Sequence, residues 1–197
     1  MISHLRGKQI ELCPTSVVVE CGGVGYKALI SLTTFSDLEN NPQEFPLLYT
    51  ELIVREDSQK LYGFSTTKER SLFVNLLSVS GVGPASAIVM LSSISAEKIR
   101  QAIVEEDVKT LQGIKGIGLK TAQKIVIDLR DKMLKNWEGS QEITQELGGN
   151  KIEEQAVLAL ETLGIATKMA QKVIGGILEK NTDISLEVLL KEALRKL

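Results

Sequence analysis

The residues of this chain best suited to chemistry are two Gly-apolar-Gly triplets, Gly81-Val82-Gly83 and Gly116-Ile117-Gly118, set 35 positions apart (116 minus 81). Leu76-Leu77-Ser78-Val79-Ser80 leads into the first and Leu111-Gln112-Gly113-Ile114-Lys115 into the second, and Ala87 and Ala122 follow four positions after the last glycines. In each copy one helix should end, the triplet should turn the chain, and a second helix should begin. Glycine suits such a turn because it enters left-handed backbone without steric cost and lets N–H groups meet a ligand with no Cβ in the way. Val82 and Ile117 stand where an apolar side chain can tuck between the two helices. The second helix opens on unpaired N–H groups and the positive end of its dipole, so an anion such as a DNA phosphate is the favoured ligand. Gly81, Val82 and Gly83 form one phosphate-binding set, and Gly116, Ile117, Gly118, Lys120, Thr121 and Lys124 the other. Lys120 and Lys124 add charge and Thr121 a hydroxyl, whereas Pro84, Ala85 and Ser86 after the first triplet supply no cation.

Gly113-x-x-x-x-Gly118 followed by Leu119-Lys120-Thr121 comes within one residue of a nucleotide-binding P-loop. That loop needs its lysine directly after the second glycine and a buried strand before the first, and neither is expected here. A second charged feature is Arg55-Glu56-Asp57-Ser58-Gln59, which should form the tip of a β-hairpin. Glu56 and Asp57 would repel phosphates, so an acidic tip in a DNA binder is expected to keep strands apart rather than to hold them.

The elements that must carry these residues fall into three segments. Between Leu5 and Gly63, short alternating runs read as strands over Leu5–Leu12, Ser16–Cys21, Tyr26–Leu32, Leu47–Val54 and Lys60–Phe64. Pro14 and Gly22-Gly23-Val24-Gly25 supply turns, and Asn40-Asn41-Pro42 punctuates a longer connection. Five strands in so short a segment predict a closed OB-fold barrel. After Phe64 the apolar period becomes helical, predicting an all-α tandem helix-hairpin-helix domain. Helical pattern fades around 137–150 into Glu-Gly-Ser-Gln and Leu-Gly-Gly-Asn, a composition suited to a linker. Glu153–Leu163, Lys168–Glu179 and Ser185–Leu197 then predict a bundle of three short helices, with Ser185 as an N-cap. The expected division is 1–64, 65–136, a flexible linker over 137–151, and 152–197, a multidomain α+β chain.

Charge follows the same division. Residues 1–64 hold 5 basic against 8 acidic side chains, 65–135 hold 11 against 7, and 136–197 hold 7 against 10. Positive charge is thus confined to the segment with the glycine turns, which argues against a binder that coats DNA with cations everywhere. With 43% hydrophobic residues, no long apolar run and no signal pattern, the expected location is the cytoplasm. Cys13 and Cys21 lack metal-ligand spacing and read as buried small hydrophobes, and the single histidine, His4, reads as a surface or packing residue. Met133 and Trp137 should close and pack the last helix of the middle segment. No cofactor, metal or catalytic residue is expected. A glycosylase would need an Asp in a base-flipping pocket, whereas Asp128 and Asp131 lie in a charged helix, and a nuclease would need more carboxylates than Glu56 and Asp57.

Taken in order, several blocks resemble the RuvA family of Holliday junction branch-migration proteins. They are Met1-Ile2 with Leu5-Arg6-Gly7, Gly22-Gly23-Val24-Gly25-Tyr26, Val54-Arg55-Glu56-Asp57 through Leu61-Tyr62-Gly63-Phe64, and Glu69-Arg70 with Leu72-Phe73. Gly81-Val82-Gly83-Pro84, Gly116-Ile117-Gly118 with Lys120-Thr121-Ala122, and Glu192-Ala193-Leu194 complete the set. The resemblance implies an OB-fold domain, a tandem helix-hairpin-helix domain, a linker and a C-terminal bundle similar to a ubiquitin-associated domain. It also implies a non-catalytic homotetramer or octamer that binds four-way junctions without sequence specificity in recombination and DNA repair, with Glu56 and Asp57 as an acidic pin at the crossover. The partners it implies are the motor ATPase RuvB, bound through the C-terminal domain, and the junction resolvase RuvC. Ala85 departs from the lysine often found after the first hairpin in relatives.

Overall fold

The structure, a computed structural model, describes residues 1–136, 150–178, 181 and 184–196. It divides into two compact units, Met1–Gln141 and Glu142–Leu197. The linker expected over 137–151 lies outside the described residues except at its last two positions, which already belong to a helix; Trp137 lies outside them as well.

The first unit begins with six strands, not five: β1 (His4–Arg6), β2 (Lys8–Cys13), β3 (Ser16–Cys21), β4 (Val24–Ile30), β5 (Leu47–Val54) and β6 (Gln59–Phe64). They form one open sheet in the order β1-β5-β6-β4-β3-β2 rather than the closed five-stranded barrel expected from the sequence. The difference arises at Gly7. Arg6 pairs with Leu47 on β5, while Lys8 pairs with Glu20 on β3, so the run read as one strand changes partner at a single residue. A Cβ at Gly7 would lie 2.0 Å from the Glu20 carbonyl oxygen, so only glycine lets the backbone run this close to β3. Because one residue joins strands at opposite ends of the order, the sheet must curl strongly. All neighbours are antiparallel except β4 and β6, and that parallel pair needs a crossover.

The crossover contains a helix where a plain connection was expected, α1 (Leu32–Asn40), capped by Ser31, whose Oγ accepts from the Thr34 N–H at 3.0 Å. The cysteines are also corrected. Cys13 is exposed at the end of edge strand β2, and Cys21 is half-buried, donating to the Arg6 carbonyl at 3.3 Å.

Five helices follow: α2 (Thr67–Leu77), α3 (Pro84–Ser93), α4 (Ala96–Val104), α5 (Val108–Gln112) and α6 (Leu119–Asn136). Their core is continuous with the sheet, because Tyr62 and Phe64 of β6 pack in one cluster with Leu72, Phe73 and Leu76 of α2 and Met133 of α6. The second unit is a three-helix bundle of α7 (Asn150–Thr162), α8 (Thr167–Leu178) and α9 (Leu186–Lys196) around Leu160, Ile174, Ile177 and Leu189. Among the described residues no helix is long and apolar enough to cross a membrane.

Candidate nucleic-acid interface

The two glycine triplets fold alike and share three backbone bonds. In the first, the Val79 N–H donates to Leu76 O, Val82 to Val79 O and Ala87 to Gly83 O, at 3.1, 3.0 and 3.0 Å. In the second, Ile114 donates to Leu111 O, Ile117 to Ile114 O and Ala122 to Gly118 O, at 3.2, 3.0 and 2.9 Å. Val82 and Ile117 are buried, as their spacing suggested. Their N–H groups are consumed inside the turn, so within the sequence-predicted set these two fix the loop and have no amide to offer a ligand.

The glycines divide into two kinds. Gly81 and Gly116 have φ of 97° and 87°, the left-handed backbone that favours glycine. Gly83 is extended at φ −93°, Gly118 has no positive φ, and a Cβ on either would meet nothing within 4 Å. Backbone conformation and packing therefore do not require glycine at the last position of either triplet; besides a mild N-cap preference, an added Cβ there would matter mainly to a group approaching from outside.

Beyond each triplet a helix begins with unpaired amides. Gly83 caps α3 without any side-chain bond, and Pro84 removes one donor, leaving Ala85 and Ser86 in the first turn. The second copy keeps Leu119, Lys120 and Thr121 there. Lys120 and Lys124 are exposed, one turn apart on the same helix face, and neither has an acid partner among the described residues. The Gly113–Gly118 loop joins α5 to α6, not a strand to a helix, which is the wrong setting for a P-loop.

The acidic tip closes as a two-residue turn. The Arg55 N–H donates to Ser58 O at 2.8 Å, the Ser58 N–H returns to Arg55 O at 3.4 Å, and Glu56 and Asp57 project exposed at the corners. This hairpin and the first glycine turn share a cleft of about 250 Å³, bordered by Arg55, Asp57, Lys60 and Tyr62 on one side and by Gly83, Pro84 and Ala85 on the other. Burial pushes the Tyr62 phenol above its usual range, and the Arg55 guanidinium, which also lines the cleft, pulls it back. Arg55 and Lys60 have no acid partner among the described residues. Sequence reasoning missed both, because the face a strand cation shares with a distant Ala85 is set by tertiary packing alone.

Comparison with known proteins matches three family models in succession: "RuvA N terminal domain" over residues 1–63, "SAM-like Helix-hairpin-helix tandem" over 73–131 and "RuvA, C-terminal domain" over 151–197. A protein of Christiangramia forsetii named Holliday junction branch migration complex subunit RuvA is 46% identical over 197 residues, all of both chains. The chain belongs to the RuvA family. RuvA proteins of Flavobacterium psychrophilum, 45% identical over the whole of both chains, and of Chlorobium limicola, 41% identical over 98% of this chain and 97% of that one, match it similarly. The three-part RuvA architecture is thus shared, with the six-stranded sheet in the N-terminal domain, the glycine turns in the helix-hairpin-helix tandem and the three-helix bundle in the C-terminal domain.

Proposed function

We propose that this chain is a non-catalytic scaffold that holds four-way junction DNA open, without regard to sequence, and recruits the motor ATPase RuvB for branch migration in recombination and repair. The observation that carries the reading is the cleft that sets an acidic tip beside a glycine turn, in a chain whose relatives are named as branch migration subunits. Amides of Gly83, Ala85 and Ser86 in one copy and of Gly118, Leu119, Lys120 and Thr121 in the other suit phosphate oxygens, with Lys120 and Lys124 adding charge. Such contacts position a duplex and read no bases. Glu56 and Asp57 act where strands part, repelling phosphates from the crossover. Four copies around a four-fold axis would present one grip per arm, in a homotetramer or a paired octamer, and RuvC would approach a face left open. A junction carrying donor and acceptor dyes on two arms tests the reading. The protein should drive it from the stacked to the open form in magnesium, and arms that stay stacked at saturation would contradict it.

Arg55 and Lys60 supply the cations that Ala85 leaves missing from the first hairpin. Lys60→Ala should weaken junction and duplex binding together and lower the salt slope of log K by about one. Titration at four salt concentrations measures it, and an unchanged slope would remove Lys60 from the interface.

For the motor we assign the C-terminal unit. Leu163 and Met169, on either side of the α7–α8 turn at Gly164, remain 63% and 51% exposed despite being large and apolar. Met169→Asp should cost at least about 2 kcal/mol of RuvB affinity, as loss of an interface anchor does, while junction binding stays unchanged. Pull-down of purified RuvB beside a gel shift reads both.

A further inference from the structure

Four consecutive residues at the start of α1 each reach the helical domain. The Ser31 hydroxyl donates to one carboxylate oxygen of Glu69 on α2, and the Thr34 hydroxyl donates to the other at 2.7 Å. Between them the Leu32 N–H donates to Ser92 Oγ at 3.0 Å, and the Thr33 hydroxyl to the Leu91 carbonyl at 2.7 Å, both near the C-terminal end of α3. Ser65, where β6 passes into α2, completes the set: its N–H donates to Thr34 Oγ1 at 3.1 Å and its hydroxyl to Asp37. Ser31 and Thr34 are fully buried and Glu69 is 3% exposed.

Glu69 stands three residues after Thr66, whose hydroxyl caps α2 by accepting the Glu69 N–H at 3.2 Å. A capping box would turn the Glu69 carboxylate back onto the Thr66 N–H. Here both its oxygens are committed to α1 instead. Burial raises the pKa of this carboxyl, and the Ser31 and Thr34 hydroxyls act against the rise. Apolar side chains would tether two elements at less cost than a buried carboxylate. What the carboxylate adds is direction, because two donors on two oxygens admit one registration.

The far end of α3 is the end that borders the cleft. Ten residues of helix span about 15 Å, so a tilt of roughly 5° about the held end moves the other by about 1.3 Å. Built sites tolerate only about 0.5 Å.

We propose that Glu69, acting through Ser31 and Thr34, is a positioning residue that sets the separation between the Glu56-Asp57 tip and the phosphate-facing end of α3, and so sets selectivity for junction over linear duplex. The proposal rests on the functional reading above. A linear duplex engages the hairpins alone, whereas a junction must meet hairpins and tip together, so only the junction senses their separation.

The test measures binding of the full chain and of Glu69→Gln and Thr33→Val to a synthetic four-way junction and to duplex of the same sequence, at one salt concentration and well below each unfolding midpoint. Glu69→Gln should keep duplex affinity within about twofold and lose roughly tenfold in junction preference, with a smaller loss in Thr33→Val. An unchanged preference in folded Glu69→Gln, or equal loss on both DNAs, overturns the proposal. Should Glu69→Gln not fold, Thr33→Val decides by the same criteria, since it deletes one hydroxyl and keeps the side-chain shape. A wild-type chain with no junction preference would defeat the functional reading together with the proposal. A wild-type preference that survives in the variants would defeat the proposal alone.

Discussion

Replacing Gly83 and Gly118 together by alanine should leave the fold intact and remove most DNA binding. Neither glycine has a positive φ, and an added Cβ meets nothing within 4 Å at either position. The conformational entropy that alanine removes from the unfolded chain is worth about 0.4–1 kcal/mol and offsets the weaker N-cap at Gly83. In the proposed grip the two methyl groups take up space that a phosphate needs in order to reach the amides. Hydrogen bonds to a charged acceptor contribute about 1.5–3 kcal/mol each, so losing one at each hairpin predicts a drop of roughly a hundredfold to ten-thousandfold in affinity. Gly81→Ala and Gly116→Ala should do the reverse, since φ of 97° and 87° costs a side chain about 1–2 kcal/mol of stability at each site. Thermal unfolding beside fluorescence anisotropy on labelled DNA separates the two outcomes. Full affinity in the folded Gly83/Gly118 pair would show that phosphates do not approach these turns.

Phe73→Ala should produce the largest loss of stability. Its ring is fully buried on α2 and packs 5.0 Å, centroid to centroid, from both Tyr62 and Phe64 of β6. Truncating a buried Phe costs about 3–5 kcal/mol, through lost burial and the cavity left behind. Because this core joins sheet and helices, the acidic tip and the first glycine turn should loosen together, and junction preference should fall well before the midpoint of unfolding. The C-terminal unit has its own core and should keep its own transition. Ile127→Ala, at a position 79% exposed, is the matched control and should change stability by less than about 0.5 kcal/mol. A loss below about 1 kcal/mol in Phe73→Ala would show that the two domains are not joined through this core.

What could be read from the sequence was what short-range chemistry determines. The glycine turns repeat at a fixed offset and carry their own backbone requirements, so their form, and the buried places of Val82 and Ile117, followed from local pattern. The acidic tip was equally local, since Val54 and Gln59 flank a turn too short to form anything else. The break at Gly7 was not legible, because the reason for that glycine is the carbonyl of Glu20, thirteen residues away and on another strand. Helix α1 was hidden for a related reason. Thr33, Thr34 and Phe35 favour extended backbone, and apart from the local Ser31 cap the side-chain bonds that hold the start of the helix come from Glu69, Leu91 and Ser92. The cations proposed for the first hairpin escaped notice because Lys60 and Ala85 come to one cleft only through tertiary packing. Consumption of the Val82 and Ile117 amides within their turns likewise needed coordinates, and it narrows the proposed phosphate-binding set to the second glycines and the first helical turns.

A phosphate grip built for a four-way junction can be measured in one competition experiment. Labelled junction is held on the protein at fixed salt and displaced by unlabelled junction or linear duplex, each in two unrelated sequences. Junction should compete at far lower concentration than duplex, the two sequences should behave alike, and log affinity should fall linearly with log salt. Equal competition by duplex, or a preference that follows the sequence rather than the branch, would contradict it.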